Sequence, residues 1–158
     1  MSKTDILFMN EALKEAKEAF KNDEVPVGAV VVYNGKIIAR AHNQVELLKD
    51  PTAHAEMIAI TEATNYLGSK WLSDCSLYVT IEPCSMCAGA LVLSRVKKIY
   101  FGAKDPKTGA CGSVIEIANN KKLNHRIAVK KGIQEEECGK LLTEFFKRKR
   151  KIEAAKNN

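Results

Sequence analysis

No apolar run in the 158 residues approaches the roughly 20 needed to cross a bilayer, which excludes a membrane-spanning helix. The first residues carry neither the apolar stretch nor the small-residue cleavage site of an export signal, so the chain is expected to begin near Met1 and to stay in the cytoplasm. Five cysteines are an odd number for a disulfide framework and read instead as reduced thiols. There is no repeat, no low-complexity tract and no linker, so residues 1–158 are expected to form one domain.

What is present is the composition of an ordinary globular protein, 46% hydrophobic and 28% charged. A chain of this length buries about 70% of its unfolded surface on folding. The net charge of +6 is unevenly spread. Between 147 and 158, six basic residues face only Glu153, so this segment carries +5 and the first 146 residues about +1. Five consecutive basic residues, Lys147 to Lys151, cover every side of a helix. They predict a helical extension at about 147–158 that projects toward solvent or a polyanion.

Met9, Leu13, Ala16 and Phe20 recur at helical spacing and predict an amphipathic helix over 5–20. β-Branched residues at 27–33 and 36–41 flank Asn34-Gly35, the signal of a hairpin with a type I′ turn. Asp50-Pro51-Thr52 reads as a helix start, with the helix running through His54, Glu56 and Ile60 to about Tyr66. Strands are expected at 77–81, 98–101 and 126–130. A continuously apolar, buried helix is expected from Cys84 to Leu93, a loop over 102–112, a short helix at 113–119 and a final helix from Gln134. After the hairpin, helix and strand alternate, which predicts an α/β sandwich whose sheet is mostly parallel beyond it.

The chemistry concentrates at two helix starts, His54-Ala55-Glu56 and Pro83-Cys84-Ser85-Met86-Cys87. Cysteines three apart at a helix N-terminus put both sulfurs on one side, within reach of a single ion. The partial positive charge there favours thiolates. A third donor, His54, would leave zinc an open position for water. Glu56 follows His54 by two residues, about 200° apart on a regular helix, so periodicity does not bring both to one site. The first turn must present His54 to the metal and Glu56 to its water for the carboxylate to move protons.

Histidine-x-glutamate followed by P-C-x-x-C resembles the signature of the cytidine deaminase superfamily, given for the zinc nucleobase deaminases. Within it the chain is similar to the bacterial tRNA adenosine deaminases. The segments 24–30 (EVPVGAV), 50–56 (DPTAHAE), 82–90 (EPCSMCAGA), 102–109 (GAKDPKTG), 124–126 (NHR) and Phe145-Phe146 carry the likeness over roughly residues 5–150. The resemblance implies a three-layer α/β/α sandwich around a five-stranded mixed sheet. It implies one Zn2+ per chain on His54, Cys84 and Cys87, with Glu56 as general acid and base. It implies hydrolysis of adenosine to inosine at the wobble position of a tRNA anticodon stem-loop, by a homodimer. It further suggests Asn43 as a reader of the purine edge, the Ala55 N–H as a contact to the reacting centre, and Asp105 against a ribose. Lys104 and Lys107 would be phosphate partners, Phe145 or Phe146 a stacking surface, and Arg148 and Arg150 basic contacts of the tail.

Two other functions fit parts of the pattern. A deaminase of free guanine or cytosine would use the same metal site. An RNA-binding module with a structural zinc would need a fourth ligand, for which Cys75, Cys111, Cys138, His42 and His125 are candidates.

Overall fold

Ser2 starts the first helix, its hydroxyl accepting the Asp5 N–H at 3.0 Å. The computed structural model describes residues 1–157; Asn158, the last residue of the expected extension, lies outside the described residues. Helix α1 (Lys3–Lys21) is followed by strands β1 (Gly28–Tyr33) and β2 (Lys36–His42). Asn34 and Gly35 join the strands with φ of 51° and 73°, as a type I′ turn requires. Then come a single turn of helix α2 (Val45–Leu48), helix α3 (Ala55–Leu67), strand β3 (Cys75–Ile81) and helix α4 (Ser85–Leu93). Strand β4 (Lys98–Ala103), strand β5 (Ala128–Lys131) and the long helix α5 (Glu135–Lys156) complete the chain.

The sheet runs β2-β1-β3-β4-β5, with β1 antiparallel to both its neighbours and β3, β4 and β5 mutually parallel. Both faces of β1 are buried because helices cover both sides. Ala29 and Val31 pack with Ala55, Ala59 and Ala63 of α3 and Ala88 and Leu91 of α4. Val30 and Val32 pack with Phe8, Met9, Ala12 and Leu13 of α1 and Cys138 of α5. Period-2 alternation in the strand thus feeds two separate apolar layers, giving the three-layer sandwich around a five-stranded mixed sheet. Helix α1 lies so close to the sheet that a Cβ on Gly28 would sit 2.0 Å from the Ala12 carbonyl oxygen.

Three expected elements differ. The helix read from Asp50 begins only at Ala55: Asp50 Oδ1 accepts the N–H and hydroxyl of Thr52, a local turn that competes with helix. The short helix expected at 113–119 is replaced by turns and an isolated bridge between Cys111 and Glu116, so a loop makes the crossover from β4 to β5. Helix α4 buries Cys87, Ala88 and Leu91 but leaves Leu93 on the surface. Among the described residues, no helix is long and apolar enough to cross a membrane.

Candidate active site

The N-termini of α3 and α4 meet beside the end of β3. His54 is the N-cap of α3 and Cys84 the N-cap of α4, both with extended backbones, and Cys87 sits in the first turn of α4. His54 Nδ1 lies 3.6 Å from Cys84 Sγ and 3.5 Å from Cys87 Sγ. A tetrahedral ion with zinc–sulfur bonds of about 2.3 Å and zinc–nitrogen bonds of about 2.0–2.1 Å needs N···S separations of about 3.6 Å. Both N···S separations match what such an ion needs. All three lie within 4.8 Å of one another, and among the described residues no fourth His, Cys, Asp or Glu joins them. Cys75, Cys111 and Cys138 are buried elsewhere in the core, and His125 Nε2 is engaged by the Val96 carbonyl. A closed structural site would need a fourth protein donor, which the described residues do not bring to this cluster.

Cys84 is the acidic member of the cluster: its hydrogen bond with Cys87 and its contact with His54, working against burial, push its thiol down to about 4. The Cys84 contact also raises His54. Glu56 is fully enclosed, 4% exposed, and burial pushes its carboxyl up to about 7. It shares with His54 and Cys84 a cleft of about 480 Å³. The 200° argument fails here because His54 is a cap, not a helical residue. Its extended backbone frees its direction from the helix period.

Asn43 lines the same cleft, and its Oδ1 accepts the Ala55 N–H at 2.8 Å. In this structure the Ala55 N–H expected at the reacting centre is held by the Asn43 side chain. Asp105 reaches the cleft from the 104–112 loop, with Oδ1 accepting the N–H groups of Lys107 and Thr108 and Oδ2 the Thr108 hydroxyl. Lys104, Lys107 and Arg150 are exposed. Phe145 is buried at 1% exposure against Phe20, whereas Phe146 is 44% exposed at the cleft, so of the pair Phe146 faces out.

Of the expected helical extension, residues 150–156 are exposed, whereas Arg148 and Lys149 are half-buried. Arg148 does not project: its Nη2 donates to the Phe20 carbonyl and to Asp23. Lys149 also pairs with Asp23. The end of α1 offers an aromatic face, Phe20, and an acid, Asp23, to these two cations.

Two buried acids lining the cleft escaped the sequence reading. Glu24 accepts the N–H groups of Glu46 and Leu47, fixing α2 at the cleft mouth. Glu82 anchors the Asp105 loop: Oε1 takes the Asp105 N–H (3.1 Å) and the Ser113 hydroxyl, and Oε2 takes the N–H groups of Cys111 (3.0 Å) and Ser113 (3.1 Å). Gly109 passes so close that a Cβ would lie 2.4 Å from Glu82 Oε2. Burial alone raises the Glu82 carboxyl, but the Ser113 hydroxyl and the three N–H donors outweigh it, so it titrates below the usual range. Its stabilisation is therefore present above the unfolded value of about 4.3 and is lost as pH falls through the lower native one. Glu82→Gln turns an N–H₂ toward donors and should cost about 1–3 kcal/mol at neutral pH. Melts of zinc-free wild type and variant should show this gap closing in acid; a gap independent of pH would contradict the role of the charge.

The MafB19-like deaminase family matches residues 2–150. The chain belongs to that family. It is 53% identical over 155 residues to a tRNA-specific adenosine deaminase of Bacillus subtilis (strain 168), covering 97% of this chain and 96% of the relative. It is 54% identical over 143 residues to the tRNA-specific adenosine deaminase of Aquifex aeolicus (strain VF5), covering 90% and 94%. A solved structure from studies of A-to-I editing by tRNA deaminases at the wobble position of transfer RNA superposes with a TM-score of 0.83. It is 43% identical and covers 86% of this chain and 99% of that one.

Proposed function

We propose that this deaminase is zinc-dependent and hydrolyses adenosine to inosine at the wobble position of a tRNA anticodon stem-loop. The observation that carries the reading is the three-donor cluster, to which the described residues bring no fourth protein donor, with buried Glu56 in the same cleft. The tRNA substrate comes from relatives matched over nearly their full length.

His54, Cys84 and Cys87 would hold the zinc ion, which would act there as a Lewis acid and lower the pKa of water from about 15.7 toward 7. Glu56 takes a proton from the attacking water as the new C–O bond forms at the amino-bearing carbon of adenine. It delivers that proton to the adjacent ring nitrogen and then carries the proton of the new hydroxyl to the departing amino group as the C–N bond breaks, so that water and adenosine become inosine and ammonia. A carboxyl poised near neutrality suits both transfers. Asn43, its oxygen engaged by Ala55, keeps its amide N–H₂ for acceptors on the purine edge. Asp105 retains lone pairs for a ribose 2′-hydroxyl, a contact that distinguishes RNA from DNA. Phe146 offers a stacking face, and Lys104, Lys107 and Arg150 meet phosphate. The enzyme works in the cytoplasm as a homodimer.

The test is a substrate panel. Purified zinc-loaded protein is incubated with total tRNA, guanine and cytidine, and inosine, xanthine and uridine are measured. Inosine in tRNA is the expected product; xanthine or uridine without inosine would assign the site to a free base or nucleoside.

A further inference from the structure

We propose that Arg148 is a positioning residue and not a phosphate contact: latched onto the end of α1, it holds Phe146 and Lys149 of α5 as one wall of the substrate cleft. The inference rests on the tRNA reading above, since it assigns how that wall is kept in place.

The last carbonyls of a helix lack intrahelical partners and carry partial negative charge. At the end of α1 the Phe20 carbonyl accepts the Asp23 N–H, and Arg148 adds a charged donor, with Nη2 3.3 Å from the Phe20 carbonyl oxygen and 3.2 Å from Asp23 Oδ1. Its guanidinium lies 4.4 Å from the centre of the Phe20 ring and 5.7 Å from that of Phe145. A planar guanidinium can stack on a ring and donate from its edge at once; an ammonium cannot. Phe20 and Phe145 meet edge to face at 5.8 Å, and Phe145 meets Phe146 at 5.4 Å. The latch is thus continuous with the exposed ring.

The acid of the latch sits where the cleft begins. Asp23 has φ 60°, in the left-handed region, and turns the chain into Glu24, whose carboxylate holds α2. Asp23, Glu24, Phe146 and Lys149 all line the cleft that contains Glu56. Lys149 Nζ lies 3.7 Å from Asp23 Oδ2, so Arg148 and Lys149 are tied to one acid.

A phosphate role and a latch predict opposite results at Asp23. If Arg148 served RNA directly, Asp23 would compete with phosphate, and removing it would strengthen binding. If Arg148 is a latch, Asp23 is its partner, and removing it weakens binding. Arg148→Lys separates them again, because it keeps the charge a phosphate needs and loses the stacked, forked geometry.

The experiment uses the zinc-loaded full chain and an anticodon stem-loop RNA with a wobble adenosine. KM should rise about tenfold in Arg148→Ala and in Arg148→Lys, with the effect on KM larger than on kcat. It should rise about threefold in Asp23→Ala, whose ion pair is exposed. The double variant Asp23→Ala/Arg148→Ala should be no worse than Arg148→Ala, the non-additivity of partners in one contact. Amide hydrogen exchange should quicken from Phe145 onward in both Arg148 variants. A wild-type KM in Arg148→Lys, a KM unchanged or lowered in Asp23→Ala, or unaltered exchange in α5 would overturn the latch. Failure of the wild type to deaminate the stem-loop would instead refute the tRNA reading, and hydrogen exchange would still decide the latch.

Discussion

Glu56→Gln lowers the rate of inosine formation about 10⁴-fold while zinc content and the folded state persist. The side chain is 4% exposed and the amide is nearly isosteric, so packing around it changes little. Burial is what lifts the native carboxyl to about 7, and a neutral amide costs less to desolvate there than an ionised carboxylate. What disappears is the ability to take one proton and give one back. General acid–base groups contribute typically about 10²–10⁴-fold, and a residue used in both transfers belongs at the upper end. Single-turnover rates alongside metal analysis check this. A variant within about tenfold of wild type would remove Glu56 from the proton path.

Cys87→Ala loses zinc and deamination together. Cys87 is fully buried, and its sulfur is 3.5 Å from His54 Nδ1, inside the tight donor triangle. Removing a ligand leaves two donors, and the loss of affinity should exceed the roughly 10–100-fold typical of losing an outer-shell partner. The fold should survive, weakened, because two apolar layers flank the sheet and do not depend on the ion. Metal analysis of the purified variant and its circular dichroism distinguish metal loss from unfolding. Full zinc occupancy in Cys87→Ala would exclude this cysteine as a ligand.

The hairpin was legible because Asn34 and Gly35 have few other uses between two β-branched runs, and α1 because its apolar spacing is regular. The parallel strands followed from alternation. The helix expected at 113–119 failed because nothing local reveals that Glu82, some 30 positions earlier, captures the Cys111 and Ser113 N–H groups. Glu82 and Glu24 were invisible for the same reason: their work is done on backbone groups distant in sequence, and a lone glutamate beside a motif carries no such signal. The donor set His54, Cys84 and Cys87 was legible from spacing and resemblance. How Glu56 reaches the same cleft was not, since it depends on His54 lying just outside the helix. That Arg148 and Lys149 pack back was not legible, because charge periodicity carries nothing of what the body offers. Phe20 and Asp23 are far from Arg148 in sequence and adjacent to it in space.

The central claim is tested most directly with two anticodon stem-loop RNAs of equal composition, one carrying adenosine at the wobble position and one carrying it elsewhere in the loop. After incubation with the zinc-loaded wild-type protein, each is digested to nucleosides and inosine is quantified. Inosine should accumulate only in the first RNA and should vanish when Glu56→Gln replaces the wild type. Equal inosine in both RNAs, or none in either while guanine is converted to xanthine, would contradict the account.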